Sequence, residues 1–171
     1  MPDIAARSDM WRPPIAYLPK ALLEPRRPLL ALAVAWLLVF VPTLALGAAV
    51  SAVMPPSAFP TFPNASWYVF LLLVVIGPLT ETLIMGGVLV LLCRFMSPTV
   101  AVLVSAAGWG IAHLTAALGW GLVIWWPFTI FSTLFLTWRT RSTMAAIGVA
   151  ATAHALHNLV PAMLLVLGLE S

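Results

Sequence analysis

Charge is what this chain of 171 residues has least of: 8% of its residues are Asp, Glu, Lys or Arg, against about 25% in a soluble domain. Hydrophobic residues make up 63%, and the mean hydropathy is +1.07. A water-soluble globular domain is thereby excluded, and the length suits one compact helical membrane domain. Cysteine is nearly absent too. The single Cys93 rules out an intramolecular disulfide and any cysteine-rich metal cluster, and beside Arg94 it reads as a buried structural thiol. The first 27 residues lack the apolar core of a signal peptide and carry both signs of charge with Pro13, Pro14, Pro19 and Pro25. They read as a cytoplasmic tail, with an interfacial stretch from Trp11 to Leu23, ahead of a transmembrane helical domain over 28–171.

An all-α polytopic bundle of about five transmembrane helices is expected, since about 20 apolar residues cross a bilayer. The spans run from about Leu29 to Met54, Trp67 to Leu92, Pro98 to Leu118, Trp120 to Trp138 and Thr143 to Leu169. Between the first two, Pro55, Pro56, Pro60 and Pro63 make a loop too rich in proline to be helical. Ser97-Pro98 is a helix-start pair, serine at the cap and proline in the first turn. With five spans, Arg7, Arg12, Lys20, Arg26, Arg27, Arg94, Arg139 and Arg141 all fall on one side. The positive-inside rule makes that side cytoplasmic and puts the N-terminus there. The formal charge of +3 and pI near 9.8 are thus explained by topology, without nucleic acid as a partner. Trp67, Tyr68, Trp120, Trp125, Trp126 and Trp138 lie near span ends, where an interfacial belt accounts for most of them. Asn64-Ala65-Ser66 matches the glycosylation pattern weakly.

Against this background, four ionisable side chains stand out: Glu81, His113, His154 and His157, all inside apolar segments. Such residues cost about 2.5–3.5 kcal/mol or more at bilayer depth and are retained for a task. At 1.5 Å per residue, Glu81 lies roughly 20 Å from either end of its span, His154 roughly 16 Å past Thr143 and His113 roughly 22 Å past Pro98. With tilt, these three can meet in one layer. His154 and Asn158, at i and i+4, share a helix face. His157 need not face the same cavity, although its i, i+3 spacing from His154 leaves that open. A carboxylate and a neutral imidazole can orient and deprotonate a water, and a second histidine with an amide can donate to a developing oxyanion. Glu81 with two histidines is also enough to hold a zinc ion and its water, so a divalent metal stays open. A proton relay would use the same polar set, but the chain has no obvious internal repeat of the kind many transporters carry.

The chain resembles the CAAX protease and bacteriocin-processing family of intramembrane endopeptidases, whose motifs are Glu-Glu-x-x-x-Arg, Phe-x-x-x-His and His-x-x-x-Asn or Asp. Here the first reads Glu81-Thr82-Leu83-Ile84-Met85-Gly86, the second Trp109-Gly110-Ile111-Ala112-His113, and the third His154-Ala155-Leu156-His157-Asn158. The likeness covers roughly residues 66–165. Two departures matter, Thr82 at the second glutamate and Gly86 at the arginine; Trp109 in place of the phenylalanine is a mild change. Losing an acid and a base together keeps the local charge balanced. Gly86, Gly87, Gly108 and Gly110 also read as small residues that let helices approach.

The resemblance implies that Glu81 and His113 activate a water while His154 and Asn158 stabilise the oxyanion. The implied activity is hydrolysis of a peptide bond in a membrane-associated or lipidated protein or peptide. Membrane lipids and that substrate are the partners expected. The short length and lack of a targeting extension lead us to expect a bacterial cell membrane, where relatives serve peptide maturation or bacteriocin immunity. The rival reading is a catalytically inactive member acting as a membrane adaptor or immunity protein, and Thr82 and Gly86 favour it.

Overall fold

The computed structural model of the chain describes residues 15–62 and 66–169. Trp11, Pro63, Asn64 and Ala65, on which parts of the tail, loop and glycosylation readings fall, lie outside the described residues. Among the described residues all regular structure is helical. A short α1, Lys20–Leu23, leads into α2, Pro28–Ser51. A single 3-10 turn, Pro56–Ala58, interrupts the proline loop that the sequence leads one to expect without helix. Then come α3, Trp67–Leu92, α4, Pro98–Leu114, α5, Leu118–Arg139, and α6, Thr143–Val166.

Four of these helices, α2, α3, α5 and α6, are long and apolar enough to cross a membrane, and α4 is a shorter apolar helix. Serines cap three starts: Ser66 accepts from Val69 N at 3.3 Å, Ser97 from Val100 N at 3.4 Å and Ser142 from Ala145 N at 3.0 Å. The third span stops at Leu114, short of the expected Leu118. There Thr115 Oγ1 donates to Ala112 O, Ala116 N and Ala117 N both turn back to His113 O, and the chain extends at Ala117 before α5 begins.

Helix α5 is the centre of the bundle. It packs against α4, α6 and α2, and every residue from Pro127 to Trp138 is buried. The glycines of the hairpin between α4 and α5 let the backbones meet: a Cβ on Gly110 would sit 3.2 Å from Gly121 O. Leu22 of α1 is fully buried and belongs to the same core, and Arg141 Nη1 donates to Pro25 O at 3.3 Å. The basic segment before α2 and the basic turn after α5 therefore lie at one end of the bundle.

Prolines inside helices tie the bundle together. A proline has no N–H for the carbonyl four residues earlier, and in a membrane that carbonyl needs another donor. Pro42 deprives Leu38 O, and the Trp126 indole donates to it at 2.7 Å. In α3 the Gly77 N–H reaches back to Leu72 O, so residues Leu72–Ile76 form a π turn. A Cβ at position 77 would lie 2.9 Å from that oxygen, so the turn requires glycine there. The next register would pair Leu73 O with residue 78, which is proline. The amide of Asn158 fills the vacancy, Nδ2 donating to Leu73 O at 2.9 Å.

Only part of the expected aromatic belt is at the surface. Trp67, Tyr68 and Trp125 are exposed. Trp126 is the interhelical donor just described, Trp120 packs on a histidine ring, and Trp138 is buried in the core. Cys93 is free and half-buried.

Candidate functional site

The π turn and the two residues after it set the face that α3 turns inward. Leu73, Gly77 and Glu81, spaced i, i+4, i+8, line one side of a cavity of about 400 Å³. His113 from the last turn of α4, and His154, His157 and Asn158 from α6, line the rest of its polar floor. The four residues singled out in the motifs thus meet at one cavity. His157, whose facing the sequence left open, joins them on the wall.

Glu81 and His154 are the closest pair, Oε2 to Nε2 at 3.8 Å, with the His154 side chain almost fully buried and the carboxylate 29% exposed. That distance is too long for a hydrogen bond and suited to a water bonded to both. The His154 ring stacks on Phe131 at 4.6 Å and meets Phe128 edge-on at 5.4 Å. On the other side, His113 Nδ1 lies 2.8 Å from Trp109 O. A carbonyl only accepts, so Nδ1 carries the proton and, in the neutral ring, Nε2 keeps its lone pair. Trp109, the aromatic of the second motif, fixes that histidine twice over. Its carbonyl holds the ring nitrogen, and its indole stacks on Phe128 at 4.4 Å, the ring that also touches His113.

Phe128 and Phe131 of α5 are therefore the wall against which all three histidines are placed. Sequence reasoning missed them, since phenylalanines in an apolar span have nothing to set them apart. Their i, i+3 spacing beside Pro127 was the one available sign. Phe40, Leu44, Trp120, Ile124 and Leu165 continue the lining, which is overwhelmingly apolar.

Thr82 and Gly86 face away from the cavity, into the core beside Met85 and Leu89. Thr82 is 1% exposed and its hydroxyl has no partner. A Cβ on Gly86 would run into the Phe135 ring. The close-approach reading thus holds for Gly86 and Gly110. It does not hold for Gly87 and Gly108, which are exposed with nothing within 4 Å of a Cβ.

With this geometry in place, the comparison with known families is decisive. The type II CAAX prenyl endopeptidase Rce1-like pattern matches residues 63–160. The chain belongs to that family. No curated protein and no solved structure matches the chain. The matched stretch contains Glu81, His113, His154 and Asn158, and membership agrees with an integral membrane protein of the CAAX-protease-like peptidases.

A catalytic zinc asks for three protein donors converging at about 2.0–2.2 Å. Among the described residues no three His, Cys, Asp or Glu side chains gather in that way. Glu81 and His154 approach each other at 3.8 Å, while His113 donates Nδ1–H to Trp109 O and keeps its lone pair on Nε2. As arranged, the described side chains do not gather into a zinc site.

Proposed function

We propose that the chain is an intramembrane endopeptidase that cleaves a membrane-associated or lipidated peptide or protein by direct attack of water. The observation that carries this reading is the 3.8 Å gap between Glu81 and His154 on the wall of an apolar cavity. A carboxylate facing an apolar space of this size has a substrate's hydrocarbon on one side and a bound water on the other.

In this reading Glu81 takes a proton from the water as its oxygen bonds to the substrate carbonyl carbon. The His113 Nε2 lone pair accepts the water's second hydrogen and orients it. As the carbonyl becomes an oxyanion, His154 and the second amide hydrogen of Asn158 donate to it. The proton on Glu81 then passes to the amide nitrogen, the C–N bond breaks, and an acid and an amine leave. No covalent intermediate forms. Leu73 O holds Asn158 by its first amide hydrogen, so the second is presented in a fixed direction. The substrate reaches this site from the bilayer, and the basic end of the bundle faces the cytoplasm of a bacterial cell.

A second reading, an inactive member serving as an adaptor or immunity protein, is favoured by one observation: Phe135 occupies the space at Gly86 where the family motif has arginine. The test is a mass-spectrometric cleavage assay in liposomes on a pool of lipidated and hydrophobic peptides, with Glu81→Gln alongside. Cleavage by the wild type that falls by about 100-fold or more in the variant supports the endopeptidase. Silence from a folded wild type on a broad pool sinks it in favour of the adaptor.

A further inference from the structure

His157 is the polar group that the proposed reaction does not use. It is 7% exposed, lines the cavity one turn beyond His154, and makes no hydrogen bond among the described residues. Its one ring contact is with Phe131 at 6.2 Å. Among the other polar side chains that line it, Asn158 is held by Leu73 O and His113 by Trp109 O, Glu81 and His154 face each other at 3.8 Å, and the Thr43 hydroxyl, like His157 Nδ1, has no partner. An imidazole left unpaired in a membrane interior is costly, and leucine or phenylalanine would fill the same space without that cost.

The two ring nitrogens differ. Nδ1 is closed off from solvent and has no partner. With Nδ1 sealed away, Nε2 is the ring nitrogen left to serve the cavity that His157 lines. In a neutral ring one nitrogen holds the proton and the other a lone pair. A donor on enclosed Nδ1 would have nothing to bond, whereas a donor on Nε2 can reach a partner in the cavity, so the proton belongs on Nε2 and the lone pair on Nδ1.

Resting on the endopeptidase reading, we propose that His157 is a substrate-binding residue that offers Nε2–H to a carbonyl oxygen of the peptide. Its tautomer is opposite to that of His113, which holds its proton on Nδ1. The two rings accordingly present opposite hydrogen-bonding faces to one cavity, His113 a lone pair for the water and His157 a donor for the peptide. A peptide chain crossing an apolar site needs such a donor, because its carbonyls leave water on entry. Pro161, four residues on, has no N–H for the His157 carbonyl.

The chain has three histidines, so a ¹⁵N-histidine spectrum in liposomes at neutral pH holds three ring systems, and His157→Gln identifies one of them. The expected His157 signals are those of a neutral ring protonated at Nε2, with His113 protonated at Nδ1. Adding an acetyl-capped, amide-ended peptide of six leucines should then shift the His157 Nε2 resonance. A His157 ring protonated at Nδ1 or at both nitrogens overturns the proposal, and so does an Nε2 signal that ignores the peptide. Cleavage is followed by mass spectrometry in the same samples. A shifted His157 with no cleavage of this peptide or of the broad pool of lipidated and hydrophobic peptides would sink the hydrolytic reading while leaving the donor in place. In an active preparation, His157→Leu should lower kcat/KM about 10-fold or more with no fall in thermal stability, and His157→Gln, which keeps an N–H donor, should recover most of it.

Discussion

Asn158 is held by Leu73 O only because Pro78 withholds the N–H that this carbonyl would otherwise accept, and that dependence can be measured. Replacing Asn158 by leucine, close to it in volume, removes the part-buried bond at 2.9 Å and leaves Leu73 O without a donor. An unsatisfied buried acceptor costs about 1–3 kcal/mol, while interhelical hydrogen bonds in membranes average about 0.6 and reach about 1.7 kcal/mol. A loss of about 1–1.5 kcal/mol is therefore expected for Asn158→Leu. Pro78→Ala supplies an N–H at position 78, which lets the Leu73 carbonyl be satisfied within α3. In that background Asn158→Leu should cost under about 0.5 kcal/mol, so the cycle should show a coupling of about 1 kcal/mol. Reversible unfolding in mixed micelles with increasing SDS, followed by tryptophan fluorescence, gives the four free energies. If the two changes add within about 0.5 kcal/mol, as independent sites do, the proline is not what ties Asn158 to α3 and the reasoning fails.

Gly86→Ala should destabilise by about 1–3 kcal/mol, because its Cβ meets the Phe135 ring in a filled core. Gly87→Ala, with nothing nearby, should leave the same unfolding curve unchanged or slightly raised. Phe128→Ala removes the ring shared by Trp109, His113 and His154. It should cost about 3–5 kcal/mol and abolish cleavage; a variant of near wild-type stability would show that the wall is not packed as described. Cleavage, once detected, should persist in chelator with under about 0.1 zinc per chain by metal analysis. Activity that vanishes with the metal and returns with added zinc would mean the donors rearrange to bind it.

The helices were legible from sequence because an apolar run of sufficient length has one stable form in a bilayer. Glu81, His113, His154 and Asn158 were legible for the opposite reason, as polar groups where polarity is expensive. What stayed hidden lacked contrast. Phe128 and Phe131 are apolar residues among apolar residues. Thr115, Ala116 and Ala117 are compatible with helix, so nothing in their composition ends α4 at Leu114. Trp126 and Trp138 look alike in sequence to an interfacial tryptophan such as Trp67, yet one donates to Leu38 O and the other is sealed in the core. The π turn before Gly77-Pro78 was not read from the sequence, and its purpose depends on a partner 85 residues away from Leu73. His157 sat on the boundary: its spacing allowed the cavity, and packing decided it.

The Phe135 ring over Gly86 has a consequence for any attempt to build the family's first motif into this chain. Introducing arginine at 86 drives a guanidinium into that ring. Introducing glutamate at 82 alone places a carboxylate in the core without a cation, a position now 1% exposed. Trimming Phe135 alone opens a void at the centre of the bundle. Each step is a loss by itself, so the family's first motif is not reached one substitution at a time. A directed-evolution search for that motif in this chain has to vary positions 82, 86 and 135 together.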